Sequence, residues 1–326
     1  MSAAPTVPPA ATAAGDEILY ESMPRLRVYK GRVERYLVGS EFVAASTDAA
    51  TGVASRDSAI SPNVSARLYL PRLRLDADAM EARLPVLVYY HGGGFCLFSA
   101  FDSTYHTYLN AFAARANALV VSVEYRLAPE HPVPAAYADS WDALSWVLSQ
   151  AAASAGAEPD PWLARHADLS RLYLSGDSAG ANIAHHMAMR AGASVRGLVL
   201  VHPYFLGSDE VGSDGLDPAA RERLGRLWRV ACPAAAGEDD PLINPLADGA
   251  PGLESLACGR VLVCVAEADV LRDRARAYYD RLGASGWRGQ AEMWQAPEKG
   301  HRFHLLEPGC DEAAAQDSAI SGFLNR

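Results

Sequence analysis

The chain has little of what builds metal or disulfide scaffolds. Its 326 residues include five cysteines, Cys96, Cys232, Cys258, Cys264 and Cys310. The number is odd, the spacing is wide and there is no C-x-x-C pair. That argues against a disulfide framework or a cysteine zinc site and reads as buried thiols in a reducing compartment. The nine histidines form no H-E-x-x-H or other metal spacing, so no metal is expected. No run approaches the roughly 20 apolar residues of a membrane span, and there is no internal repeat. Positive charge is scarce: 29 Lys and Arg face 39 Asp and Glu, a formal net charge of −10. Neither nucleic acid nor an anionic membrane is therefore an expected partner. No Lys or Arg precedes Arg25 and no continuous apolar stretch precedes it either, unlike a secretory signal, and a transit peptide would be richer in Arg. The expected location is cytoplasmic.

What the chain does have is apolar material: half of it is hydrophobic, enough for a large core. We expect a single domain over residues 1–326. Residues 1–15 are rich in Ala and Pro and expected to be disordered. The segment from 27 to 70 reads as short antiparallel strands ending in "VSARLYLP", and "LRLDADAMEARL" as a polar loop. "LPVLVYY" (84–90) is a nearly continuous apolar run, which predicts a strand buried on both faces. Similar runs, "ALVVSVEY", "RLYLSG", "VRGLVLVHPYF", "RVLVCVAEAD" (260–269) and "QAEMWQAP", alternate with helical segments. One of these, "DSWDALSWVLSQAAAS", has Asp139 or Ser140 as its expected N-cap. The alternation predicts an α/β fold with a mostly parallel central sheet flanked by helices. Residues 207–250 break the rhythm with loops and one short helix near 219–231. An insertion of this kind lies over the active face, so 16–45 and 207–250 are the expected cap.

"GDSAG" (176–180) lies between a strand and a helix. In that context G-x-S-x-G predicts a nucleophile elbow, with Ser178 on a strained turn at the carboxyl edge of the sheet. Glycine is needed where bulk would collide with the adjacent strand and helix, and the helix directs its free N–H groups and positive dipole end at the reaction. "HGGGF" (91–95) follows a strand directly. Its glycines expose backbone N–H groups that can donate to a developing oxyanion, joined by the N–H of Ala179. A phosphate loop would continue into Lys-Ser/Thr, whereas Phe95-Cys96 follow here.

A nucleophilic serine needs a base, and the base an orienting acid, in the chain order serine, acid, histidine. Asp269 ends "VLVCVAEAD" and is the favoured acid. Glu267 lies one strand repeat earlier on the same side, and Asp273 falls on the following helix. His301 follows Gly300 on the loop after the last strand, where the base belongs. His304 reads as a packing residue at the start of the final helix, and His185 and His186 as helix residues facing sheet or solvent.

In order, "HGGGF", "EYRLAPEHPVPAAYADSWDAL", "GDSAGANIAHH", "AEADVLRD" and "GHRFHL" resemble the plant carboxylesterase branch of the hormone-sensitive-lipase-like α/β-hydrolases. The resemblance runs from about Ile18 to the C-terminus. It implies an α/β-hydrolase fold, Ser178, Asp269 and His301 as catalytic triad, and His91, Gly92, Gly93, Gly94 and Ala179 as the oxyanion site. It implies a small-molecule ester as substrate and no cofactor. The same scaffold serves 2-hydroxyisoflavanone dehydratases and tuliposide-converting enzymes. Gibberellin receptors share it without the catalytic histidine, which this chain keeps as His301.

Overall fold

The computed structural model describes residues 17–22, 24–36, 41–73, 83–150 and 159–326. The expected disordered tip and most of the polar loop before residue 84 fall outside the described residues. The chain opens with a small antiparallel sheet of β1 (Ile18–Ser22), β2 (Leu26–Tyr29) and β3 (Arg32–Arg35). β4 (Ala54–Ser61) and β5 (Val64–Leu70) form a hairpin at one edge of the main sheet. β6 (Leu84–Tyr90), α1 (Ser103–Ala116), β7 (Leu119–Glu124), α2 (Ala135–Ser149) and α3 (Pro161–His166) follow. Then come β8 (Ala167–Asp177), α4 (Ala179–Ala191), β9 (Gly197–Val201) and α5 (Pro218–Ala231). β10 (Arg260–Ala266), α6 (Arg272–Ala284), β11 (Gln290–Ala296), the short α7 (Phe303–Leu306) and α8 (Asp311–Leu324) complete the chain. The main sheet has eight strands in the order β11-β10-β9-β8-β6-β7-β5-β4. Pairing is parallel from β11 through β7 and antiparallel from β7 to β4. This is the expected α/β architecture.

The apolar runs explain the layering. Successive side chains of a strand point to opposite faces. In β6, Val86, Val88 and Tyr90 join one core cluster, with residues of α2, α4 and α6. Leu87 and Tyr89 join the other, with Tyr105, Leu109 and Phe112 of α1 and Ile320 and Phe323 of α8. Both faces are thus covered, and a strand without alternation is what that geometry asks for.

Three local expectations are corrected. The helix read from 139 starts at Ala135, after Pro134. Asp139 is inside it because its carboxylate accepts from Arg126 N (2.9 Å), Nε (2.8 Å) and Nη2 (2.7 Å), and Ser140 is buried. β10 stops at Ala266, three residues short of the end read from sequence. His304 belongs to α7, a separate turn of helix before α8. All five cysteines are free thiols, four of them buried, with Cys310 partly exposed.

The packing of α1 on α8 makes a first prediction. Asp317 is 7% exposed, 3.2 Å from Arg115 Nη1 and 3.3 Å from the Tyr108 hydroxyl. Burial outweighs these partners and pushes its carboxyl up to about 6 from 3.8. The folded state therefore holds the proton more tightly than the unfolded chain. Stability from this group is present below the unfolded value and is lost as pH rises through about 6, a deficit of about 3 kcal/mol at neutral pH. Asp317→Asn should raise the melting temperature by a few degrees at pH 8 (about 2–4 °C per kcal/mol for domains somewhat smaller than this one) and leave it unchanged near pH 4, as read by calorimetry at the two pH values.

Candidate active site

The carboxyl ends of β6, β8, β9, β10 and β11 carry the site. β8 runs into Gly176 and Asp177, and the chain turns at Ser178 into α4. Ser178 has φ 54° and ψ −117°, a conformation that costs an L side chain about 1–3 kcal/mol. The turn is held from three sides. Ser178 N donates to Val201 O at the end of β9 (2.9 Å), and its carbonyl accepts from Tyr204 N (3.0 Å) and Asn182 N (3.1 Å). A Cβ on Gly180 would overlap the Tyr90 carbonyl of β6, and one on Gly176 would overlap both Gly180 and that carbonyl. The flanking glycines therefore answer the close approach of strand and helix, as the motif predicted.

The structure brings Ser178, Asp269 and His301 together. His301 Nε2 lies 3.0 Å from Ser178 Oγ, and its Nδ1 lies 2.7 Å from Asp269 Oδ2. Asp269 is 2% exposed, and its other oxygen accepts from Leu271 N at 3.0 Å. Burial alone would raise its carboxyl, but the electrostatic attraction of His301 and the hydrogen bond from it outweigh burial and hold it below the usual range. An ionised carboxylate can only accept, so Nδ1 carries the proton and Nε2 faces the serine hydroxyl as acceptor. Asp269 sits in the turn after β10, with its N–H on Ala266 O (3.1 Å), rather than on the strand itself. Of its rivals, Glu267 is exposed and accepts from Glu298 N (2.8 Å), and Asp273 pairs with Arg272 at 2.7 Å. His304 is buried against Tyr108 and His202, and burial pushes its imidazole down to about 3. His185 and His186 bond to the Tyr278 hydroxyl (3.1 Å) and Leu242 O (3.0 Å).

The glycine loop divides into two parts. The Gly92 N–H is not a free donor, and His91 enters as a buried ring. The His91 ring is wholly buried, with Nδ1 2.8 Å from Gly92 O and its face stacked on Tyr125 at 4.3 Å. The Gly92 N–H is engaged by Tyr105 Oη (2.8 Å) and Asp177 Oδ1 (3.0 Å). The expected place of Gly92 among the oxyanion donors is corrected accordingly: Gly92 and the His91 ring shape the loop. Gly93 and Gly94 have φ of 111° and 62°, which favour glycine. Among the described residues, the N–H groups of Gly93, Gly94 and Ala179 form no hydrogen bond. A Cβ on Gly94 would overlap the Leu227 side chain of α5, so the helix of the 207–250 insertion rests on this loop. Tyr20 of β1 reaches the same helix through Arg223 O at 3.4 Å.

Two contributors were missed by sequence reasoning. Asp177 is wholly buried and accepts from Tyr89 Oη (3.0 Å) and Tyr105 Oη (2.9 Å) as well as from Gly92 N. Its place inside G-x-S-x-G was the available signal. His202, with φ 46° directly after β9, accepts from Arg302 N at Nδ1 (3.0 Å). Burial pushes it down to about 3, so it stays neutral. Ligand-capable atoms of His202, Asp269 and His301 lie within 4.8 Å of one another. Asp269 and His301 face each other in a hydrogen bond, however, where a cation would need them to converge on a shared point.

The alpha/beta hydrolase fold family model matches residues 87–305. The chain is 47% identical to tuliposide A-converting enzyme 1, chloroplastic, of Tulipa gesneriana, over 99% of this chain and 82% of that one. It is 45% identical to 2-hydroxyisoflavanone dehydratase of Glycyrrhiza echinata (96% and 98%) and 42% identical to "Probable carboxylesterase 2" of Arabidopsis thaliana (95% and 97%). The structure resembles an esterase of Pyrobaculum calidifontis, with TM-score 0.66, 29% identity and coverage of 83% and 84%. The tulip relatives correct the cytoplasmic placement. They are named chloroplastic or amyloplastic, which points to the plastid, and compartment is read from addressing signals that the fold and its composition do not encode. With its eight-stranded sheet, the family match and near full-length similarity to plant enzymes, the chain belongs to the alpha/beta hydrolase family, in its esterase class.

Proposed function

We propose that the protein is a serine carboxylesterase that hydrolyses small to medium carboxylic esters through an acyl-enzyme. The observation that carries this reading is the unbroken line from Ser178 Oγ through His301 to Asp269, at 3.0 and 2.7 Å. His301 Nε2 takes the Ser178 proton as Oγ attacks the ester carbonyl. The N–H groups of Gly93, Gly94 and Ala179 receive the oxyanion, with the N-terminus of α4 behind them. His301 returns the proton to the departing alcohol. Water, deprotonated by the same nitrogen, then releases the acid. Asp269 keeps the imidazole in the required tautomer and stabilises its charged form. α5 and the β1–β3 sheet act as the cap that selects the ester.

The names of the relatives supply the competing outcomes, dehydration of a 2-hydroxyisoflavanone and conversion of tuliposide A, on the same residues. The gibberellin-receptor reading has no such support, because His301 is present and touches Ser178. A fluorophosphonate probe followed by peptide mapping should label Ser178 alone, and p-nitrophenyl acetate should give a burst of one nitrophenolate per enzyme with acetate released at the steady rate. A label on another residue, or loss of water from a hydroxyisoflavanone with no ester turnover, rejects the esterase reading.

A further inference from the structure

Arg302 follows the proposed base directly, and its side chain turns inward. Its Nε lies 2.9 Å from Asp177 Oδ2, near enough for an ion pair though not aligned as a hydrogen bond, and its Nη2 donates to the Tyr105 hydroxyl at 3.1 Å. The side chains of Arg302 and Asp177 are 12% and 0% exposed. The guanidinium lies over the rings of Phe98 (4.4 Å) and Tyr105 (5.8 Å), which shield it further. Its backbone has φ 60° and its N–H is held by His202. Residue 302 is thus anchored twice, by main chain to the end of β9 and by side chain to the residue preceding Ser178. Asp177 and Tyr105 in turn both accept from Gly92 N.

We propose that Arg302 is a positioning residue that clamps the base loop to the nucleophile turn and the glycine loop through Asp177 and Tyr105. The proposal rests on the serine-esterase reading above. Three segments that must meet within tenths of an ångström come from positions near 92, 178 and 301, and the four side chains Arg302, Asp177, Tyr105 and Tyr89 are the polar bolt between them. Charge makes the bolt selective. The titratable groups facing Asp177 are Tyr89 of β6, Tyr105 and Tyr108 of α1, Tyr125 after β7, His202 after β9 and Arg302. Burial keeps the tyrosines protonated and His202 neutral. Burial also works against the charge on Arg302, but Tyr105 and Asp177 outweigh it. Arg302 is therefore the positive charge in this set that answers the Asp177 carboxylate. Removing one member of a buried pair leaves the other uncompensated, whereas removing both charges does not.

The test compares Arg302→Met, Arg302→Lys, the double variant Arg302→Met/Asp177→Asn and Ser178→Ala on p-nitrophenyl acetate. Thermal melts verify the fold. Arg302→Met should lower kcat on the order of 10²-fold with KM within about twofold, the effect of misplacing reacting groups by about 1 Å. Arg302→Lys, which keeps the charge, should recover most of the rate, and the double variant, which lacks the clamp but strands no buried charge, should fold and stay at least about tenfold slower in kcat than the wild type. If Arg302→Met does not fold, the double variant decides: a folded protein slowed at least about tenfold in kcat, with KM within about twofold, supports the clamp. A folded Arg302→Met with wild-type kcat overturns it, as does a folded double variant with wild-type kcat. Failure of the serine reading shows separately, as undiminished turnover by Ser178→Ala.

Discussion

Ser178→Ala is expected to reduce hydrolysis of p-nitrophenyl esters on the order of 10⁶-fold, by analogy with other serine hydrolases. The size of the loss follows from the part each group plays. Without Oγ there is no acyl-enzyme, and His301 has only water to activate. The backbone N–H groups of Gly93, Gly94 and Ala179 remain, so a residue of about 10³–10⁴-fold over uncatalysed hydrolysis should persist. The exchange is small: Ser178 is 5% exposed, and alanine keeps the backbone contacts to Val201, Tyr204 and Asn182. The variant should therefore melt like the wild type and still bind substrate, with KM little changed. Near wild-type turnover in a folded variant would refute the assignment.

Asp269→Asn should cost on the order of 10⁴-fold in kcat, the penalty known for presenting the wrong tautomer to a catalytic histidine. Asparagine fills the same space, and its amide nitrogen facing Nδ1 would donate where the carboxylate accepts. The proton would then move to Nε2, and Ser178 would lose its acceptor. The folded-state value of Asp269 is depressed, so its stabilising charge is present at and above the ordinary carboxylate range and is lost only as pH falls below it. The defect should consequently be full at neutral pH, measured by steady-state kinetics between pH 6 and 9. Glu267→Gln is the control, with an expected change under about threefold in proportion to a surface contact; a larger loss there with an active Asp269→Asn would reverse the choice of acid.

Much of this site was legible because its signals are local. Gly176, Ser178 and Gly180 mark a strand-to-helix turn within five residues, and His91 to Gly94 follow a strand at once. The doubly buried strand "LPVLVYY" announced the parallel sheet for the same reason. What escaped depends on partners distant in the chain. Arg302 and Tyr105 are 197 positions apart and Asp177 and Gly92 are 85 apart, and no periodicity links them. The capping preference of Asp139 was overridden by Arg126, a tertiary partner, so propensity pointed to the wrong helix start. Chain order points to Asp269, whereas the apolar run that suggests it ends a strand is longer than the strand itself. β10 ends earlier, and the turn, not the pleat, aims the carboxylate.

The strand order sets a ruler for the chemistry. β8 and β10 flank β9, so the turns bearing the hydroxyl and the carboxylate spring from strands two lattice steps apart, about 9.6 Å at 4.8 Å per step. Two short side chains reaching toward each other across that span leave a gap that one five-membered ring, bonded at both ends, fills. The pitch of a parallel sheet, a property of every backbone and of no particular residue, thereby dictates the lengths of the side chains that can complete the relay.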